Sequence, residues 1–315
     1  YAAYYTKEDF ASLMEATDGV YYGIGATVSQ DAKTGTITIV KPFPGSPAYK
    51  AGLLPGDVIY KVDGKDVAGI DLTEVVSNMK GKEGTKVVIT VLREGEANPI
   101  DFTVERRKVD VPTIASQMLS GKIGYIAISE FDKITSKQFI KALDSLESKG
   151  EKGLIIDLRN NGGGLYDTAV EMLDRMLPKG LLVYQEDKDG NKQESYAKKD
   201  DEFNKPLVIL VNENTASASE IFAGAIQDYE KGKVVGSTTF GKGIVQSVIP
   251  LYDESAVKLT VAKYFTPKGR DIHGIGIEPD VKVELKEELR QKPVIEMEED
   301  NQLQKAISVV EGLMK

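Results

Sequence analysis

Two segments in the second half of the chain decide how it is organised. The first reads Asn212-Glu-Asn-Thr-Ala-Ser-Ala-Ser-Glu-Ile-Phe222, and the second reads Gly236-Ser-Thr-Thr-Phe-Gly-Lys-Gly-Ile-Val-Gln246. Among their residues are Ser217, Lys242 and Gln246. A serine hydroxyl beside a basic amine could make a hydrolytic site.

Strand and helix patterns alternate along the chain on both sides of these segments. Apolar runs bounded by turn residues predict strands, and apolar positions at helical spacing predict helices between them. In order, the predicted elements are strand Lys122–Ile128, helix Thr135–Lys149, strand Gly153–Leu158, helix Leu165–Met176, strand Leu207–Val211, helix Ser217–Tyr229 and strand Val234–Gly236. This alternation is typical of an α/β protein with a layered core.

The lysine segment also matches the start of a phosphate-binding loop. Gly236 and the pair Gly241-Lys242 satisfy the pattern G-x-x-x-x-G-K. That loop needs Ser or Thr after the lysine to hold magnesium, and a helix whose N-terminus faces the phosphates. Here Gly243 follows the lysine, and the next residues alternate like a strand. Nucleotide binding is therefore disfavoured, although it stays open as an alternative.

The composition excludes several other kinds of site. The 315-residue chain has a net charge of −9, which argues against nucleic acid as a partner because phosphate binding needs a basic surface. It has no cysteine and a single histidine, His273, so thiolate and multi-histidine metal sites are excluded. A Ser-His-Asp triad would have to use His273, which a polar segment predicts to be an exposed loop residue. No apolar run approaches the ~18 residues of a membrane span.

Residues 19–106 are rich in strand patterns and contain the series Gly45-Ser-Pro-Ala48, Ala51-Gly-Leu-Leu-Pro-Gly-Asp57 and Val62-Asp-Gly64. Because of this series, the region resembles a PDZ domain. PDZ domains bind a peptide C-terminus as an added strand between a sheet edge and a helix, and backbone N–H groups of a glycine-containing loop hold its carboxylate.

The resemblance assigns the peptide-binding positions of this domain. It implies a carboxylate loop of Tyr22, Gly23, Ile24 and Gly25, a binding strand of Ala26, Thr27 and Val28, and a pocket lined by Leu72, Val75 and Met79 on a helix. Those last three residues lie at i, i+3 and i+7, a spacing that is equally compatible with a place in the core.

The remaining chain contains three long motifs, which are Asp157-Leu-Arg-Asn-Asn-Gly-Gly-Gly164, Thr215-Ala-Ser-Ala-Ser-Glu-Ile221 and Phe240-Gly-Lys-Gly-Ile-Val-Gln246. They resemble the carboxyl-terminal processing peptidases, also called tail-specific proteases, and the resemblance continues through residues 263–280. The family consists of serine endopeptidases with a Ser-Lys dyad and a supporting glutamine. The resemblance implies that Ser217 is the nucleophile, Lys242 the general base and Gln246 its orienting partner, with an oxyanion hole formed by the N–H groups of Gly164 and Ala218. It implies no cofactor and no metal.

The residue types fit that chemistry. A serine hydroxyl is a weak nucleophile unless a neighbour removes its proton, and a lysine can serve in a chain with one histidine. Lysine acts as a base only where burial lowers its pKa from the reference value of about 10.4. In a strand, residues 242, 244 and 246 would share a face, so Gln246 could hydrogen-bond the Lys242 amine.

The serine segment has alternative explanations. Residues Ser217 to Glu220 fit a capping box at the start of a helix. This is compatible with catalysis, because a helix N-terminus also favours a developing oxyanion. Ser219 is the rival nucleophile, but it should lie inside the first helical turn and point elsewhere.

Together the patterns predict an α/β (α+β) protein with a crotonase-like layered protease core and a β-rich PDZ domain that precedes the core or is inserted in it. The predicted boundaries are 1–18 for the end of an N-terminal helical region, 19–106 for the PDZ domain, 107–285 for the core, and 286–315 for a C-terminal helical segment that packs on the core or on a partner.

The predicted function is cleavage of protein or peptide substrates that are recognised by their apolar C-termini, with the PDZ domain gating the site. The resemblance also leads us to expect a regulatory protein partner and a homodimer. Together with the absent cysteine, it implies an extracytoplasmic location with a membrane tether upstream of this fragment. The alternatives are a non-catalytic peptide-binding scaffold, the nucleotide-binding protein described above, and an acyl-CoA enzyme of the crotonase type.

Overall fold

The computed structural model describes residues 2–200, 202–292 and 294–315. The strands are β1 (Ala3–Tyr5), β2 (Val20–Gly23), β3 (Ala26–Gln30), β4 (Ile37–Pro42), β5 (Val58–Val62), β6 (Lys65–Asp66), β7 (Lys86–Leu92), β8 (Ile100–Glu105), β9 (Arg107–Asp110), β10 (Ile114–Leu119), β11 (Ile123–Ile128), β12 (Gly153–Asp157), β13 (Gly180–Asp187), β14 (Lys192–Ala197), β15 (Leu207–Val211), β16 (Lys233–Gly236), β17 (Ile244–Pro250), β18 (Ala256–Phe265) and β19 (Val281–Lys282). The helices are α1 (Lys7–Asp18), α2 (Pro47–Ala51), α3 (Leu72–Met79), α4 (Thr135–Ser148), α5 (Tyr166–Met176), α6 (Ala218–Asp228), α7 (Glu287–Arg290) and α8 (Asn301–Leu313). Within these described ranges, no helix is both long and apolar enough to span a membrane.

The chain divides into two compact units. The larger unit consists of residues 1–18 and 113–315, and the smaller of residues 19–112. The smaller unit includes β9, which the sequence patterns placed beyond a boundary at Arg106. It does so because β9 pairs antiparallel with β2, with Val20 opposite Asp110 and Gly23 opposite Arg107.

The larger unit is built on a six-stranded sheet in the order β10-β11-β12-β15-β16-β19. Its strands are parallel except for β10, which is antiparallel to β11. The central strands β12 and β15 are buried along their whole length. Parallel strands covered on both faces read as continuous apolar runs rather than alternating ones, which explains the sequence of Leu207–Val211.

Helices cover both faces of this sheet. On one face, Leu154 and Ile156 of β12 belong to a core cluster with apolar residues of α4, α5 and α6. On the other face, Ile155 packs with residues of α8, because successive side chains of a strand point to opposite faces. The α8 helix is fixed at its start by Arg159, whose guanidinium lies 2.7 Å from both Asp157 and Asp300.

A second sheet of the larger unit, in the order β1-β18-β13-β14, also has β17 paired with β18. Leu182 and Val183 of β13 and Tyr264 of β18 belong to the same core cluster as α4, α5 and α6. The three helices therefore lie in one hydrophobic core with residues of both sheets. The segment that carries Lys242 leads directly into β17.

The smaller unit is a β-rich domain with its own core. Its main sheet has the order β3-β4-β5-β7-β8, with β6 paired to β5, so β3 is an edge strand. The short α2 helix begins after Ser46, whose side chain accepts a hydrogen bond from the Tyr49 N–H, and ends at Gly52 with φ 93°. The α3 helix begins after Asp71, whose carboxylate accepts from the Thr73 N–H in the same way.

Candidate active site

Ser217 lies at the end of the loop between β15 and α6, directly before the helix begins. Its backbone has φ 57° and ψ −120°, a conformation that costs a non-glycine residue roughly 1–3 kcal/mol. The side chain is half-buried and lines a cavity of the larger unit. A strained backbone persists only where its surroundings fix it, so the neighbours of Ser217 are informative.

The loop before Ser217 is tied to the glycine-rich loop after β12. The Thr215 hydroxyl donates to the Leu158 carbonyl at 2.8 Å, and the Ala216 N–H donates to the Asn161 carbonyl at 3.0 Å. Gly163 has φ 99°, and a Cβ added there would lie 2.8 Å from the Ser217 Cβ. Glycine is therefore needed at position 163 both for its conformation and for the close approach of the two loops.

Ser219, the rival nucleophile, is 0% exposed, and its hydroxyl donates to the Asn161 carbonyl at 3.1 Å. Of the two serines, Ser217 is thus the one that reaches the cavity. The predicted capping residue Glu220 accepts a hydrogen bond from the Ser217 N–H at 2.9 Å.

Two backbone N–H groups beside Ser217 are available to a ligand. Gly164 and Ala218 both line the cavity. Across the described parts of the chain, we find no hydrogen bond donated by either N–H group. The Gly163 N–H, in contrast, donates to the Asn161 side chain at 2.8 Å. The geometry therefore leaves free the two donors that the family resemblance implies for an oxyanion hole.

Glu220 joins the serine segment to the lysine segment. Its carboxylate is 0% exposed and accepts four hydrogen bonds. One oxygen accepts from the Thr239 hydroxyl at 2.6 Å and the Gly241 N–H at 2.7 Å, and the other accepts from the N–H groups of Ser217 at 2.9 Å and Lys242 at 2.8 Å. A single buried side chain therefore sets the positions of both backbones.

The lysine segment is also packed from its other side. A Cβ at Gly241 would lie 2.9 Å from the Ile275 backbone nitrogen, and a Cβ at Gly243 would lie 2.7 Å from the His273 backbone nitrogen. The Gly274 N–H donates to the Gly241 carbonyl at 2.8 Å. Glycine at positions 241 and 243 therefore allows the backbone to pack closely against the loop before Ile277. Ile244, two residues after Lys242, begins strand β17 rather than a helix, so a structural requirement of a phosphate-binding loop is not met.

The Lys242 side chain is half-buried and lines the cavity. Burial lowers the pKa of its amine below the ordinary value, and the neighbouring Lys258 ammonium lowers that pKa further. Tyr5 and Glu220 act in the opposite direction on the same pKa. The net effect is a lysine that gives up its proton more easily than an exposed one.

The cavity has a volume of about 530 Å³, within the range of ligand pockets in proteins. Ser217, Lys242 and Gln246 all line it, together with Gly164, Ala218 and Tyr264. His273 does not line it. In the described part of the chain, no group of three or more acidic or histidine residues could hold a metal ion.

Sequence reasoning missed part of this arrangement. Lys242 lies two residues before β17 begins, so the shared strand face expected for residues 242, 244 and 246 does not by itself place the Lys242 side chain. Glu220 was recognised only as a cap, and Tyr264 and Lys258 were not singled out. The capping signal was local, whereas the contacts of Tyr264 and Lys258 join positions that are far apart in sequence.

The predicted peptide-binding residues lie in the smaller unit. Tyr22 is exposed, Gly23 to Gly25 are buried, and Ala26 to Val28 form the start of the edge strand β3. Val75 and Met79 are buried in the core cluster of this unit, and Leu72 is half-buried against it. The α3 side chains are therefore already engaged in core packing.

Comparison with known proteins places this chain in a family. A profile of peptidase family S41 matches residues 122–283, and a profile of the PDZ domain matches residues 38–93. The carboxy-terminal processing protease CtpA of Bacillus subtilis is 45% identical over 286 residues, which are 90% of this chain and 61% of that protein. The carboxyl-terminal-processing protease of Synechocystis is 37% identical over 314 residues, which are 97% of this chain and 72% of that protein.

A solved structure supports the same assignment. The photosystem II D1 C-terminal processing protease is 34% identical with a TM-score of 0.53, covering 90% of this chain and 77% of that one. The chain spans only about three fifths of the Bacillus relative. The matches confirm the resemblance found in the sequence: the chain belongs to peptidase family S41 and contains a PDZ domain.

Proposed function

We propose that this chain is a serine endopeptidase in which Ser217 is the nucleophile and Lys242 is the general base. The observation that carries the proposal is that both side chains line one cavity while the same buried carboxylate, Glu220, holds both backbones. The lowered pKa of Lys242 supports its role as a proton acceptor. Gln246, on the same cavity wall, would orient the amine.

The reaction would run in two stages. Lys242 takes the Ser217 proton as the hydroxyl oxygen bonds to the scissile carbonyl carbon, and the N–H groups of Gly164 and Ala218 stabilise the resulting oxyanion. The C–N bond then breaks, and the Lys242 ammonium returns the proton to the leaving amine. In the second stage water attacks the acyl-enzyme, Lys242 accepts the proton of the water, and Ser217 leaves with that proton restored.

The smaller unit would capture the C-terminal tail of a protein or peptide substrate. Support comes from β3, which has a free sheet edge in that unit, and from Gly25, whose φ of 79° allows the tight loop before it. An apolar tail would add to β3 as a strand, with its carboxylate held by the loop from Tyr22 to Gly25. Leu72, Val75 and Met79 would line the pocket if α3 moves to admit a side chain.

Several finer features are proposals of the same kind. We infer a crotonase-like layering of the core, which the helix-covered parallel sheet supports. A location outside the cytoplasm, a tether upstream, a regulatory protein and a homodimer remain proposals that rest on the family.

The direct test is digestion of casein by the wild type and by Ser217→Ala and Lys242→Ala. We expect both variants to lose activity by several orders of magnitude, because each removes one half of the proton-transfer pair. Ser219→Ala is the matched control and should keep near-normal activity. Loss in Ser219→Ala with retention in Ser217→Ala would contradict the assignment, and a wild type without activity would favour a peptide-binding scaffold.

Tail capture is tested with one substrate protein that carries either a free or an amidated C-terminus. The substrate with the free C-terminal carboxylate should be cleaved faster than the amidated one. The difference should lie mainly in KM, because amidation removes the charge that the loop would hold. Equal rates for both forms would exclude capture of the tail by the PDZ domain.

A further inference from the structure

Tyr264 of β18 lies between the two segments that carry Ser217 and Lys242. Its hydroxyl oxygen is 2.6 Å from the Lys242 carbonyl oxygen and 3.0 Å from the Ser217 carbonyl oxygen. Its backbone N–H donates to the Gly243 carbonyl at 3.2 Å. The residue is 1% exposed and belongs to the core of the larger unit. A rigid side chain therefore contacts the backbone of both segments.

The two hydrogen bonds of the hydroxyl differ in importance. A tyrosine hydroxyl has one proton, so the shorter contact, to Lys242, is the main bond. The Ser217 carbonyl also accepts from the N–H groups of Glu220 at 2.8 Å and Ile221 at 3.0 Å. For the Lys242 carbonyl, the Tyr264 hydroxyl is the one donor we find among the described residues. The lysine side of the site thus depends on Tyr264 more than the serine side does.

Glu220 and Tyr264 hold complementary backbone groups. Glu220 accepts from the N–H groups of Ser217 and Lys242, and Tyr264 binds the carbonyl groups of the same two residues. Fixing both polar groups of a peptide backbone leaves its Cα little freedom to rotate. The pair of contacts would therefore control the direction in which the Lys242 side chain leaves the loop.

We propose that Tyr264 is a positioning residue for the reaction, and that its hydroxyl fixes the Lys242 backbone at the distance from Ser217 that proton transfer requires. This rests on the proposed Ser-Lys function. Tyr264 does not itself act as the base. Burial and the Glu220 carboxylate raise its pKa well above the ordinary value, so the phenol stays protonated and remains a donor.

Tyr264→Phe removes the hydroxyl and leaves the ring in place, and the chain offers a matched control. Tyr229 follows the other end of α6, and its hydroxyl donates to the Leu181 carbonyl at 2.9 Å. Positions 217 and 229 flank the 11 residues of α6 and are twelve residue steps apart, or ~18 Å at 1.5 Å per step. Tyr229→Phe therefore removes the same kind of bond from the same unit without touching the site.

We expect Tyr264→Phe to lower kcat by about 10- to 100-fold with KM changed less than about twofold, because small misplacements of catalytic groups act on the chemical step. Tyr229→Phe should keep its kcat, while the two variants lose similar amounts of thermal stability. Replacing Tyr264 by 4-aminophenylalanine, which retains a donor, should restore much of the rate. An equal loss of kcat in both phenylalanine variants, or no rescue, would overturn the proposal by making Tyr264 a purely structural residue.

A second measurement does not need catalysis. A small acylating reagent modifies Lys242 only when its amine is neutral. Peptide mass spectrometry measures the rate of this modification at a series of pH values, and the rate reports how readily the amine loses its proton. We expect the profile of Tyr264→Phe to move to higher pH, because a loosened loop exposes the amine to water, while Lys258, Tyr5 and Glu220 stay in place in every variant. Identical profiles in the wild type and both phenylalanine variants would overturn the proposal, even if a lack of casein digestion had already excluded the protease function.

Discussion

The segments that carry Ser217 and Lys242 meet at one buried carboxylate, that of Glu220. They differ in what determines the position and the protonation of their side chains. Ser217 has a short side chain on a strained backbone, which hydrogen bonds and the approach of Gly163 hold at the start of α6. Lys242 has a long, flexible side chain on a loop whose N–H and carbonyl groups are held by Glu220 and Tyr264. Burial and the charge of Lys258 lower the pKa of its amine. The serine thus differs in having a strained backbone, and the lysine in having an amine whose protonation depends on its surroundings.

This difference indicates which substitutions should affect Ser217 and which should affect Lys242. A change in backbone conformation should act on the serine first, because its hydroxyl lies one bond from the Cβ and follows the main chain directly. A change in nearby charge should act on the lysine first, because its protonation state decides whether it can accept a proton. Only side chains that bind the backbones of both residues should affect Ser217 and Lys242 together.

Glu220→Gln should have the largest effect, since it breaks the contact that both sides share. The amide nitrogen of glutamine cannot accept a hydrogen bond, so two of the four donors around position 220 lose their acceptor. At about 1–3 kcal/mol for each buried unsatisfied donor, the free energy of unfolding should fall by about 2–6 kcal/mol. Denaturant unfolding and casein digestion measure the two consequences, and we expect activity to be lost.

Glu278→Gln is the control for this change. Glu278 lies on the surface, and its carboxylate pairs with Lys282. Its replacement should alter the free energy of unfolding by less than about 0.5 kcal/mol, as for most surface changes. If Glu220→Gln were as mild as Glu278→Gln, the shared carboxylate would not hold the two segments together.

A smaller effect should separate two variants at position 217, both of which the proposed mechanism makes inactive. Glycine adopts φ 57° and ψ −120° without strain, but alanine does not. We therefore expect Ser217→Gly to be more stable to denaturant than Ser217→Ala by about 1–2 kcal/mol, although glycine normally destabilises a folded chain. Higher stability of the alanine variant would show that the backbone at Ser217 is not strained.

The smallest effect should be a shift in the pH dependence of kcat/KM in the variant Lys258→Met. Lys258 is positively charged and lowers the pKa of the Lys242 amine, so its removal should raise that pKa. In the proposed mechanism Lys242 acts as a base in its neutral form, so the rising limb of kcat/KM against pH should move to higher pH. Lys263→Met, on the same strand but paired with Asp271 at 3.0 Å, should leave the limb in place. A shift to lower pH in Lys258→Met would contradict the electrostatic account of the lysine.

Much of the fold could be predicted from local patterns. The buried strands β12 and β15 were predicted because a strand covered on both faces must be apolar along its length. The helix after Ser217 was predicted from its cap and its apolar spacing. The pairing of β9 with β2 was not predicted, because strand pairing between distant segments leaves little trace in either one.

The sequence by itself determined the family and the two kinds of domain, and it predicted the residue types of the candidate site, since motifs of several residues specify local chemistry. Only the tertiary structure decided which serine faces the cavity, that Glu220 and Tyr264 hold both segments, and that Lys258 lies near the Lys242 amine. The physical reason is that hydrogen bonding and desolvation depend on distances between atoms. Those distances are fixed when remote parts of the chain pack together, and no local pattern records them.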